Sequence, residues 1–154
     1  MITPTAGLIG IGYEGRSIDG LLAELQATGV SRLVDVRLTP ISRKPGFSKS
    51  ALARALTAAG IAYEHRRELG NPKSNRPGFA GPPEALAQAR ATYAELLDEP
   101  TAAACLRGLA TALSSERAAL LCFEADEQRC HRHVVLQRID ELVSASAAST
   151  HPAH

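Results

Sequence analysis

A single three-layer α/β/α domain, with a mostly parallel sheet of four or five strands, is the fold this sequence predicts. Short apolar runs near residues 8, 32, 61 and 118 are each followed by a helix-length stretch, which is the alternation of an α/β fold. The first two runs are joined by a connection long enough to hold a helix, so they pair in parallel and not as a hairpin. At 154 residues, 45% hydrophobic and 21% charged, the chain fits one domain that buries a core without cross-links.

The elements follow in order. Leu8 to Tyr13 reads as a buried strand that ends in glycine-containing polar sequence. Ser17 is placed to cap a helix whose apolar residues Ile18, Leu21, Leu22 and Leu25 recur at helical spacing, and Gly29 ends it. Arg32 to Arg37 is the second strand. Thr39 to Phe47, with two prolines and a glycine, is a basic loop, and a helix from Ser48 or Ser50 then runs to Ala59 and closes at Gly60. Ile61 to Glu68 is a third strand, whose charges make a buried place harder and leave an added antiparallel position open. Gly70 to Pro83 holds four prolines and three glycines and reads as a long loop, of the kind that often carries function. Helices at 83–98 and 101–114 are separated by Pro100. Ala118 to Glu124 is the most apolar strand. Glu127 to Val143 is an amphipathic helix with Val134, Val135, Ile139, Leu142 and Val143 available to the sheet. The domain thus spans 1–143 in a Rossmann-like layout with right-handed crossovers, and 144–154 reads as a flexible tail.

Bulk properties narrow the function classes. Three cysteines argue against a disulfide framework. No basic segment followed by an apolar one opens the chain, and no apolar run is long enough to span a bilayer, so a cytoplasmic protein without a membrane partner is expected. Net charge is +1, but nine of the 17 Lys and Arg fall between 37 and 76, where only Glu64 and Glu68 oppose them. That basic side suggests an anionic small molecule or a nucleic acid as partner, the plainer account being a solvated basic face. Cofactor and oligomeric state stay open.

In parallel sheets ligands bind beyond the carboxyl ends of the strands, and here those ends are rich in chemistry. They carry Tyr13, Glu14 and Arg16; Asp35 and Arg37; His65, Arg66 and Arg67; then Cys122, Glu124 and Asp126. Cys130, His131 and Arg132 fall in the first turn expected of the last helix, where free N–H groups and the dipole favour anions. Asp35 and Arg37, two apart in a strand, share a face, as do Cys122 and Glu124.

These segments also carry a resemblance. Ile9-Gly10-Ile11-Gly12-Tyr13-Glu14-Gly15-Arg16-Ser17, Val34-Asp35-Val36-Arg37, Tyr63 to Gly70, and Leu121 to Asp126 with Cys130-His131-Arg132 resemble a domain-of-unknown-function family, DUF488, in order from about Leu8 to Val143. The resemblance implies a small bacterial or archaeal α/β protein and no established reaction.

Several chemistries fit these residues. Cys130, at a helix start beside Arg132, suits a thiolate nucleophile with His131 as base or relay; the plainer account is a small packed cysteine. Val34-Asp35-Val36-Arg37 resembles the corresponding strand of rhodanese-like sulfurtransferases, but the loop from Phe123 to Glu127 lacks glycine and holds carboxylates that repel an anion. Cys122, Cys130, His131 and His133 do not match a known zinc spacing. Glu14, Asp35, Glu124 and Asp126 suit Mg²⁺, or else pair with Arg37 and Arg132. Gly10-x-Gly12-x-x-Gly15, with Asp35 about 20 residues on, matches a dinucleotide fingerprint, against which Tyr13, Glu14 and Arg16 crowd the turn.

The expectation is therefore an enzyme acting on an anionic, phosphate-bearing or nucleic-acid-related substrate. Glu124, Cys130, His131 and Asp35 are its candidate catalytic groups, and Tyr13, Glu14, Arg16, Arg37 and Arg132 bind the substrate. No metal ligands are assigned. The alternatives are a non-catalytic nucleic-acid-binding module on the 37–76 face and rhodanese-like cysteine chemistry.

Overall fold

A strand that is apolar on both sides must be covered on both faces, and the strand Ala118–Cys122 of this chain is. The structure, a computed structural model, describes residues 7–150. Strands β1 (Leu8–Gly12), β2 (Arg32–Asp35), β3 (Ala62–His65) and β4 (Ala118–Cys122) form one all-parallel sheet in the order β1-β4-β2-β3. Along β4, which is buried throughout, side chains alternate between the two faces. Ala119 and Leu121 pack with Leu21 and Leu25 of helix α1 (Ile18–Ala27) and with Leu52 and Leu56 of α2 (Lys49–Ala58). Ala118, Leu120 and Cys122 pack on the other side, where the short α3 (Arg76–Phe79) precedes α4 (Pro83–Leu96), α5 (Pro100–Ala112) and α6 (Arg132–Thr150). The expected three-layer α/β/α domain is thereby realised with four strands.

Local signals set the helix ends. The Ser17 hydroxyl accepts the Gly20 N–H at 3.0 Å, capping α1. Gly29 and Gly60 follow α1 and α2 with φ of 73° and 78°, a left-handed conformation that a Cβ opposes. Pro83 and Pro100 stand at the first turns of α4 and α5, where their missing N–H costs nothing.

β3 is shorter than the strand expected over 61–68, and two further segments differ from expectation. β3 runs parallel to β2, with Asp35 beside His65, and lies at the sheet edge, where its half-exposed charges are solvated. The stretch from Gly70 to Pro83 contains a 3₁₀ turn at Lys73–Asn75 and then α3, pinned where the Asn75 amide donates to Ala89 O at 3.0 Å. The last helix is interrupted at its start: Glu127–Arg129 is a separate 3₁₀ turn, Cys130 is extended, and α6 begins at Arg132. It continues past Val143 to Thr150 through a run of three alanines among serines and a threonine. Of the tail expected over 144–154, residues 151–154 lie outside the described residues.

The layering fixes where a ligand fits. β1 and β2 both lead to helices on one face, while β4, between them, leads to α6 on the other. Neighbouring strands whose chains leave toward opposite faces open a crevice at their carboxyl ends. Among the described residues no helix is long and apolar enough to cross a membrane.

Candidate functional site

A cleft of about 230 Å³ occupies that crevice. Tyr13 borders it from the end of β1, Arg37, Leu38, Thr39 and Ile41 from beyond β2, Asn71, Arg76 and Phe79 from the segment before α4, and Cys122 to Glu124 from the end of β4. Arg129, Cys130 and His131 close it. A larger hollow of about 490 Å³ lies over β2, β3 and α5, but its charges are spent on each other: Arg32 pairs with Glu64 at 2.7 Å and with Glu116, and Arg66 pairs with Glu64.

The glycine fingerprint beneath the cleft is filled by the protein itself. A Cβ on Gly12 would run into the Glu124 carbonyl, and one on Gly10 into the Glu127 carboxylate and, at 3.0 Å, Arg132 Nε. The glycines therefore admit the loop after β4, in the position where a dinucleotide's pyrophosphate would need to approach. Three amides in and just after that loop are already taken by protein oxygens. Ala125 N donates to Glu14 Oε1 at 2.9 Å, Gln128 N to Asp126 Oδ1 at 3.0 Å, and Cys130 N to Glu127 O at 3.2 Å. Those amides are unavailable for the anion cradle that a rhodanese-like site requires.

Asp35 and Arg37 form a closed unit on the α1–α2 side. Asp35 is fully buried and takes two bonds from the Arg37 guanidinium, at 2.8 and 2.6 Å, a third from the Arg37 N–H at 3.1 Å, and one from Tyr63 Oη at 2.6 Å. Arg37 Nη1 also donates to Phe47 O at 2.7 Å, and Arg37 O meets His65 Nε2 at 2.8 Å. Burial works against the Arg37 charge, but the Asp35 bonds and charge more than offset it and raise its pKa. Burial and the same carboxylate push the Tyr63 phenol up. With its oxygens so occupied, Asp35 anchors Arg37 in the cleft wall.

The opposite wall holds the sulfurs. Cys122, at the end of β4, and Cys130 are joined as a disulfide, although an odd count of three cysteines argued against a disulfide framework; Cys105 on α5 is free. Burial pushes the Cys105 thiol up to about 11. His131 Nδ1 lies 3.8 Å from Cys130 Sγ, and its Nε2 lies 2.8 Å from Val36 O. Since a carbonyl only accepts, Nε2 carries the proton and Nδ1 presents a lone pair to the sulfurs. Burial lowers the His131 pKa to about 4; the Val36 bond opposes the shift, and Arg76 and Arg132 reinforce it. The ring is neutral at neutral pH.

Arg132 is turned inward. Its Nη1 reaches Cys122 Sγ at 2.9 Å and Glu124 O at 2.6 Å, its Nη2 reaches Ala125 O at 3.3 Å, and Glu127 lies 3.5 Å from its Nε. It backs the disulfide and does not border the cleft. Arg16 pairs with Glu24 and donates to Gly12 O at 3.0 Å, so it too faces away.

Of the residues expected in the site, Tyr13, Arg37, Glu124, Cys130 and His131 thus line one cleft, while Glu14, Arg16, Asp35 and Arg132 support its walls. Arg76, Arg129 and Asn71 line it without having been singled out. The Arg76 guanidinium has no hydrogen-bond partner among the described residues, whereas Arg129 donates to Phe79 O at 3.2 Å and to Gly81 O. Both had a sequence signal: Arg76 lies in the Gly/Pro-rich stretch read as function-bearing, and Arg129 precedes Cys130.

A protein family described as Domain of unknown function DUF488 matches residues 17–139, which is 123 of the 154 residues. No curated protein and no solved structure matches the chain.

Proposed function

The chain belongs to the DUF488 family, and since that membership names no reaction, we propose one from the cleft: an enzyme acting on a small anionic, phosphate-bearing substrate held at the carboxyl ends of the strands. The observation that carries this reading is the convergence in one cleft of Arg76 and Arg129 with Cys122, Cys130 and a neutral His131. Arg37 is cancelled by Asp35, so Arg76 and Arg129 set the sign of the cleft against the single carboxylate of Glu124. Arg76, exposed and with no protein partner for its guanidinium among the described residues, is the group left to grip an anion. Phe123, 46% exposed, and Ile41, 75% exposed, flank the mouth. Phe123 stands edge-on to Tyr13, which itself stacks on Phe47 with ring centroids 4.6 Å apart. An aromatic edge of this kind favours a substrate with a planar or apolar part beside its phosphate, such as a nucleotide.

Calorimetric titration with inorganic phosphate, pyrophosphate and mononucleotides tests the binding half. Arg76→Ala is expected to weaken the best ligand by about 10-fold or more, the worth of one charge-assisted contact. Affinity unchanged in Arg76→Ala, or no binding by the native chain, sinks the reading. Oligonucleotide binding that survives Arg76→Ala and falls steeply with salt would move the function to the basic 37–76 face.

A further inference from the structure

We propose that, in its dithiol form, the chain holds a thiophilic divalent metal ion of the Zn²⁺ class on Cys122, Cys130 and His131, with a fourth coordination position open to the cleft. This goes beyond the anion reading and does not depend on it.

Geometry carries the inference. The two Sγ atoms and a ring nitrogen of His131 all lie within 4.8 Å of one another. Cys122 ends a fully buried strand, and Cys130 and His131 are the two residues that lead into α6, with His131 held by its bond to Val36 O. His131 is oriented as metal-bound imidazoles are: its Nε2–H is given to the Val36 carbonyl at 2.8 Å, which leaves Nδ1 facing the sulfurs. The backbone holds the Cα atoms of Cys122 and Cys130 7.6 Å apart, wider than the span of about 4.4–6.8 Å usual for a cystine. A tetrahedral ion with Zn–S bonds of about 2.3 Å places two thiolates roughly 3.8 Å apart, which suits the wider spacing.

The surroundings fit thiolate ligands. Arg132 donates to Cys122 Sγ from Nη1 at 2.9 Å and to Cys130 Sγ from its backbone N–H at 3.5 Å, the outer contacts that tune bound sulfur. Two thiolates neutralise a divalent ion, and the Arg132 charge is faced by Glu127 at 3.5 Å. Loading requires the disulfide to be reduced by an external thiol or phosphine, with two electrons and two protons making two thiols. Those thiols then release two protons to solvent as the metal binds, and His131 contributes only its lone pair. Cys122, Cys130 and His131 all border the cleft; a site with three protein ligands and one open position is the arrangement of a catalytic zinc rather than a closed structural one.

The test uses full-length protein reduced with a phosphine, desalted anaerobically, and titrated with Zn²⁺ against a chromophoric chelator and, separately, with Co²⁺. One Zn²⁺ per chain is expected, and Co²⁺ should give tetrahedral d–d bands with a sulfur-to-cobalt charge-transfer band of two-thiolate intensity. Cys122→Ser and Cys130→Ser should each lower Zn²⁺ affinity by about 100-fold or more, while Cys105→Ser leaves it unchanged. Absence of stoichiometric Zn²⁺, no charge-transfer band, or stoichiometry lost only in Cys105→Ser overturns the proposal. Should the serine variants fail to fold by circular dichroism, the cobalt spectrum of the native chain decides. Phosphate titrations on metal-free protein keep the two readings separable, since either result stands without the other.

Discussion

His131 is the residue whose burial has the clearest thermodynamic consequence. Its pKa of about 4 lies below the ordinary 6.5, so as pH falls through that range the unfolded chain takes up a proton the folded chain refuses. The stability it protects is complete above about pH 6.5 and is lost on going down to about pH 4, by roughly 3 kcal/mol for a shift of this size. The urea midpoint, followed from pH 7 to pH 4, should fall more steeply in the native chain than in His131→Gln, which does not titrate. Parallel slopes would mean that the ring protonates freely in the fold. At this scale the sequence showed which residues gather but not what each one does. Asp35 and Arg37 share a face by strand geometry alone, so their pairing could be read as an option; the Tyr63 and Phe47 partners that complete the unit come from 28 and 10 residues away. Arg132 is expected to bind an anion because a guanidinium can grip phosphate or carboxylate with two bonds, yet it folds back onto Cys122.

Between elements, the decisive contact is the one β1 makes with the loop after β4. Gly12→Ala drives a Cβ into the Glu124 backbone, which cannot swing aside as a side chain could. A loss of about 3 kcal/mol or more is expected from overpacking against main chain. Gly15→Ala meets nothing within 4 Å and is opposed only by a φ of 78°, so about 1 kcal/mol is expected there. Chemical denaturation of the two variants checks the order, and a Gly15 variant the weaker of the pair would refute this account of the glycines. Their spacing invited a cofactor reading because sequence shows where glycines lie, not what approaches them. Strand and helix periodicity placed all four strands and helices α1, α2, α4 and α5 within a few residues, but set the last helix five residues too early at its start and seven short at its end. The 3₁₀ turns at 73–75 and 127–129 were hidden because long-range contacts hold the chain there: Asn75 on Ala89 O, and Arg129 on Phe79 O.

For the whole molecule, the parallel α/β class was legible from alternation, whereas strand order depends on which distant runs meet and leaves no local trace. Placing β4 centrally, buried along its length and paired on both sides, makes it the most protected part of the fold. Native-state hydrogen exchange should be slowest at Ala119, Leu120 and Leu121 and faster along the edge strand β3; the opposite ranking would contradict this order. The same placement bears on how the protein is made. β1 pairs with β4, and β2 with β3 and β4, so nothing in the sheet joins β1 to the rest until residues 118–122 arrive. A ribosome must therefore release more than three quarters of the chain before the first strand finds its neighbour. Until then the apolar Leu8 and Ile11 need shelter during synthesis, either from a chaperone or from speed.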